Sequence, residues 1–129
     1  MVKFNEVMSE NKAKNLSAVV LAFVGDAVYS LFVRENLVFK SDYKTGTLQK
    51  LSSQSVSAKG QADLYAKIQD KLTIEEQEIF HRGRNAKKPT KSKNASVAEY
   101  NISTGFEAVV GYLYLTGNYD RLNQLFSEE

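Results

Sequence analysis

Residues 18–33 read AVVLAFVGDAVYSLFV. Fifteen of these sixteen residues are uncharged and most are apolar; the exception is Asp26, next to Gly25. An ionised carboxylate in an apolar setting is costly unless it is paired or holds a cation. The stretch is shorter than the roughly 20 residues that a membrane span needs, and it carries a charge near its middle. It therefore reads as a core helix, starting near Ser17 as N-cap and running to about Leu37. Apolar on most of its circumference, such a helix is expected at the centre of the fold.

Working outward, helical spacing is common and strand-like alternation scarce, which predicts an all-α fold. A second helical region is expected over about 47–68, with Leu48, Leu51, Ser55, Ala58, Ala62 and Tyr65 on one side. Thr73-Ile74-Glu75-Glu76 is a capping-box sequence opening a helix that should end near Arg84. The basic segment RGRNAKKPTKSKN, with Gly83 and Pro89, is expected as a loop. Ser96-Val97-Ala98-Glu99 is a second capping box, opening a helix to about Thr116 that Gly117 stops. A short helix over about 120–126 closes the chain. No repeat, low-complexity stretch or linker interrupts 1–129, so a single domain is expected.

Composition narrows the chemistry. The 129 residues suffice for one domain with a real core. There is no cysteine and one histidine, His81. Disulfides, thiolate metal sites and paired-histidine metal motifs are therefore excluded. A metal site here must be built mainly from oxygen ligands, which points to Mg²⁺ or Mn²⁺. The net charge of +2 is uneven: residues 82–93 hold six basic side chains and no acid, leaving 11 basic against 15 acidic residues elsewhere. A concentrated positive segment on an otherwise acidic chain suits a phosphate backbone.

The opening pattern recurs in STGFEAVVGYLYL, residues 103–115, where Glu107 stands alone in a mostly apolar helix. Two isolated carboxylates on adjacent buried helices repel each other unless a cation lies between them. Mg²⁺ fits, because it keeps most of its waters and often takes only one or two protein carboxylates. Taken singly, each feature has a plainer reading. A helical Asp can bond back to the main chain, pair with Arg34 or emerge at the surface, and a basic segment can be a solvated loop. Together they suggest a metal-dependent enzyme acting on nucleic acid.

FVGDAVYSLFVR resembles the signature of the ribonuclease III catalytic domain, and FEAVVGYLYL resembles that family's second conserved segment. RGRNAKK, YNISTGFEA and VSAKGQA are similar to its compact bacterial branch, Mini-ribonuclease III, which lacks a separate double-stranded-RNA-binding domain. Larger members carry two further acids, at positions that here are Ala22 and Thr104. Asp26 and Glu107 alone match.

The resemblance implies a homodimeric, Mg²⁺-dependent endonuclease of the cytoplasm with the ribonuclease III catalytic fold. It would cut double-stranded RNA with metal-activated water, leaving 5′-phosphate and 3′-hydroxyl ends, and would mature large-subunit ribosomal RNA precursors. Assistance by a ribosomal protein stays open. Asp26 and Glu107 are the expected catalytic and metal-binding residues, with Thr104 holding a water of the metal shell. Arg82, Arg84, Asn85, Lys87, Lys88, Lys91 and Lys93 are the expected RNA contacts. Lys59 and Gln61 read as ordinary helix-surface residues with a weaker claim on RNA, and His81, beside the basic segment, as a surface or phosphate-adjacent residue rather than a catalytic one. Two other readings compete: a non-catalytic RNA- or ribosome-binding module on the same fold, and a helical domain whose basic loop binds an acidic protein.

Overall fold

The structure, a computed structural model, describes residues 4–88 and 96–128. Among them there are seven α-helices and no strand: α1 (Glu10–Lys14), α2 (Ala18–Lys40), α3 (Thr45–Val56), α4 (Ala58–Ile68), α5 (Ile74–Asn85), α6 (Val97–Leu115) and α7 (Tyr119–Phe126). A 3₁₀ turn, Gln69–Lys71, follows α4.

Local chemistry sets most of the ends. The Ser17 hydroxyl accepts from the Val20 amide at 3.1 Å and opens α2. Both expected capping boxes form, at Thr73–Glu76 and Ser96–Glu99, with serine or threonine and glutamate each satisfying the other's backbone amide. Gly117 takes φ +78°, the left-handed conformation that ends α6 and favours glycine. The expected helical region over 47–68 is split at Ser57, whose extended backbone ends α3 while its side chain caps α4 by accepting from the Gly60 amide. The break shifts the helical phase. The buried face of α4 is consequently Gln61, Leu64 and Ile68 rather than the face through Ala62 and Tyr65.

The centre of the fold is α6, which packs on α1, α2, α4, α5 and α7. This corrects the expectation that α2 lies there. One side of α2 is buried through Leu21, Ala22, Gly25, Val28, Tyr29 and Val33, while Val20, Phe23, Leu31 and Val38 face outward. Phe23 is 81% exposed. The apolar character of α2 therefore serves two surfaces, only one of which is internal.

The α2–α6 crossing is unusually close. A Cβ on Gly25 would stand 1.8 Å from the Glu107 carbonyl oxygen, and one on Gly111 would stand 1.9 Å from that of Leu21. Only hydrogen fits at either position. A similar contact joins α5 to α6, where a Cβ on Gly83 would meet Gly105 Cα at 2.8 Å. Around these crossings Tyr29 packs edge-on to Phe106 at 5.2 Å between centroids and against Phe126 at 5.4 Å, joining α2, α6 and α7. Arg121 of α7 grips the buried Glu76 through Nε and Nη2, at 2.9 and 2.8 Å, and caps the Lys71 carbonyl. That bidentate pair fixes α7 to the start of α5.

The glycines predict opposite outcomes for one substitution. Gly25→Ala should destabilise by about 3 kcal/mol, at the upper end of overpacking costs because the clash is with backbone. Gly46→Ala, in α3 with nothing within 4 Å of the added methyl, should gain about 0.5–1 kcal/mol from helix propensity. Urea unfolding checks both, and equal midpoints for the two variants would contradict the close-crossing account.

Candidate active site

The Gly25–Gly111 contact places Asp26 and Glu107 side by side. Asp26 follows Gly25 on α2, and the Glu107 carbonyl is the atom against which Gly25 packs. The two carboxyl groups are close enough for a protonated Glu107 to hydrogen-bond to Asp26. They are not equally enclosed. Asp26 is exposed at the helix surface and borders an apolar groove with Phe4, Phe23, Leu31 and Tyr114. Glu107 is half-buried. The expectation of two buried acids thus holds for one only, because the Asp26 side of α2 is not covered by the fold.

Enclosure pushes the Glu107 carboxyl up to about 8, helped by the negative charge of Asp26 and by the hydrogen bond that the protonated group gives it. A bond from Gln61 acts the other way. At neutral pH, without metal, the Glu107 carboxyl therefore keeps its proton. A divalent cation replaces such a proton, and two hard carboxylate oxygens suit Mg²⁺ or Mn²⁺. Among the described residues no third His, Cys, Asp or Glu joins them into a fuller cage. A cation held here would keep most of its hydration shell.

Two neighbours complete the description. Thr104 lies one turn before Glu107, 7% exposed, and its hydroxyl donates to the Tyr100 carbonyl at 3.1 Å. Its proton is spent within the helix, while its oxygen retains acceptor capacity. Ala22, one turn before Asp26, is buried and adds no ligand.

Gln61 is the residue that sequence reasoning misplaced. It is 2% exposed, not on the helix surface, and its Nε2 donates to the Val56 carbonyl at 2.9 Å and to Glu107 Oε2 at 3.1 Å. The signal was present in the spacing Gln61, Leu64, Ile68, which marks one helical face. It was obscured by carrying the phase of α3 across Ser57.

The basic segment is only partly a loop, since Arg82, Arg84 and Asn85 belong to the last turn of α5. Arg82 donates to the Lys14 and Leu16 carbonyls at 3.1 and 2.6 Å, tying the α1–α2 connection to α5. Arg84 lies 5.9 Å above the Phe80 ring and donates to Asn85 Oδ1 at 3.3 Å. Lys88 closes the end of α5 by donating to the Arg84 and Ala86 carbonyls, and burial lowers its ammonium pKa. Lys87 is exposed. Lys91 and Lys93 lie outside the described residues. His81 is exposed and sets its ring edge-on to Phe80. Tyr65, one turn beyond Gln61 on α4, lines the same cleft as Arg84 and Asn85.

The carboxyl pair has a measurable consequence without metal. The folded state holds the Glu107 proton up to about pH 8, whereas the unfolded chain releases it near pH 4.3. Between these values the folded state binds more protons, so stability falls as pH rises. The melting temperature in EDTA should decline from pH 5 to pH 8, and Glu107→Gln should remove that decline. A flat wild-type profile across this window would contradict a proton held on Glu107.

Comparison with known proteins identifies the family. The model of the ribonuclease III domain matches residues 19–118, spanning both carboxylates. A Mini-ribonuclease 3 from Streptococcus pneumoniae is 47% identical over 114 residues, covering 87% of this chain and 89% of that one. A Mini-ribonuclease 3 from Staphylococcus aureus is 42% identical over 121 residues, covering 92% and 90%. A Fusobacterium nucleatum protein known from its crystal structure superposes with a TM-score of 0.80 at 32% identity, covering 88% and 91% of the two chains. In sequence and fold the chain belongs to the ribonuclease III family, whose members are divalent-metal-dependent endoribonucleases acting on double-stranded RNA.

Proposed function

We propose that the chain is a Mg²⁺-dependent endoribonuclease that cuts double-stranded RNA, acting in the cytoplasm on large-subunit ribosomal RNA precursors. The observation that carries the reading is the Asp26–Glu107 pair, joined across a backbone contact that admits no side chain. Asp26, open to solvent, and Glu107, anchored on α6, would hold the cation, with Thr104 an acceptor one turn away. Mg²⁺ bound there would act as a Lewis acid and lower the pKa of its water. A non-catalytic RNA-binding module is disfavoured, because a binder gains nothing from two carboxylates forced together.

The RNA grip divides by role. Lys87 is an exposed point charge for phosphate, and Lys91 and Lys93 extend the same charge run in the sequence. Arg84 and Asn85 border the cleft that leads from α4. Arg82 and Lys88 already serve backbone carbonyls, so their substitution would also disturb the end of α5. A-form RNA is recognised through phosphates and 2′-hydroxyls, which suits this set of donors.

The outward stripe of α2, Val20, Phe23, Leu31 and Val38, supports a homodimer. A patch of this kind on one helix is self-complementary about a two-fold axis. Asp26 borders the same surface, so pairing would set two sites near one another along a duplex. No helix among the described residues is long and apolar enough to cross a membrane.

Two experiments test this reading. With a double-stranded ribosomal RNA precursor and Mg²⁺, wild-type protein should cut. Asp26→Asn and Glu107→Gln should each abolish cutting while binding RNA normally in Ca²⁺, and Lys87→Glu should lower the salt slope of binding by about one. Retained cleavage by either carboxylate variant would sink the two-carboxylate site. Sedimentation should give a dimer for wild type and a monomer for Leu31→Glu; a wild-type monomer at micromolar concentration would refute the pairing.

A further inference from the structure

Gln61 is buried beside the carboxyl pair, yet neither the fold nor the reaction described so far requires an amide there. Both groups within reach of its Nε2, the Val56 carbonyl and Glu107 Oε2, are acceptors. The orientation of the amide is thereby fixed, since the flipped form would set oxygen against oxygen twice. Val56 ends α3 and Gly60 lets the start of α4 approach that turn, where a Cβ would stand 2.3 Å from the Gln54 carbonyl. The donor is consequently anchored to a backbone carbonyl, that of Val56. The other half of the amide is unexplained. Gln61 Oε1 is, among the described residues, the one buried side-chain polar atom with no hydrogen-bond partner. A buried acceptor left open costs about 1–3 kcal/mol.

A stranded acceptor next to two carboxylates fits a site completed by a group that brings hydrogens with it. A hydrated divalent cation does so. Ala22 and Thr104 supply no carboxylate, so such a cation would depend more than usual on hydrogen bonds outside its direct ligands. We propose that Gln61 is the positioning residue of the cation site: its NH₂ group, anchored on Val56, orients Glu107, and its amide oxygen accepts a hydrogen from the cation's hydration shell. This rests on the reading of Asp26 and Glu107 as a cation site.

The test is Mn²⁺ binding by the full chain, followed by electron paramagnetic resonance, which requires no RNA. Gln61→Met keeps the length, volume and helix propensity of the side chain but removes both donor and acceptor. It should melt within a few degrees of wild type and bind Mn²⁺ about 10-fold more weakly. It should lower kcat on double-stranded RNA while leaving RNA affinity in Ca²⁺ unchanged. Should the Met variant be unfolded, Gln61→Asn, one methylene too short to span Val56 and Glu107, should show the same loss. Normal Mn²⁺ affinity in either folded variant would overturn the proposal. Wild-type protein that binds no Mn²⁺ would overturn it together with the cation site. Wild-type protein that binds Mn²⁺ but cuts no double-stranded RNA would overturn only the nuclease reading.

Discussion

The contact between the backbones of α2 and α6 governs the rest of the structure. Gly25 and Gly111 each face a carbonyl oxygen so closely that any side chain would collide with it. The absence of two Cβ atoms brings the helix axes together. That approach sets Asp26 beside Glu107, which a crossing of ordinary width would hold apart. The site is therefore a consequence of packing, and its energetic tension is local. One carboxyl is exposed, the other enclosed and pushed up to about 8, and packing at the crossing prevents them from separating.

The same crossing explains the division of labour around α6. The glycine contact with α2 and the one with α5 occupy two of its sides. A third is filled by α4, which delivers Gln61 to Glu107. A half-buried carboxylate held by three helices cannot readily reorient, while Asp26 remains open toward solvent and the apolar groove. Rigidity on one side and access on the other is what a cation site needs if it is to receive a phosphate. The ion pair of Arg121 with Glu76, and the bonds of Arg82 to the α1–α2 connection, hold the outer helices in place and add no ligand.

Much of this was legible in the sequence where the signal was local. Ser17, Thr73, Ser96 and Gly117 mark helix ends through bonds or dihedrals that involve only nearby residues, and each behaves as its type dictates. The carboxylate pair was legible because two isolated acids in two apolar helices are costly wherever the helices lie. Gln61 was not, because its burial depends on the phase of α4, which Ser57 resets. The exposure of Asp26 and Phe23 was hidden too: an apolar helix reads the same whether its second face meets its own core or another molecule. Arg82 reads as a free cation in sequence, since the carbonyls it serves lie 66 and 68 residues away.

The account stands on Asp26 and Glu107 jointly holding a divalent cation. The most direct measurement is anomalous diffraction from crystals soaked in Mn²⁺. The account predicts one anomalous peak about 2.0–2.2 Å from a carboxylate oxygen of each residue, with the hydrogen bond between the two carboxyls broken. Crystals that diffract well, with both carboxyls still hydrogen-bonded to each other and no peak between them, would contradict it.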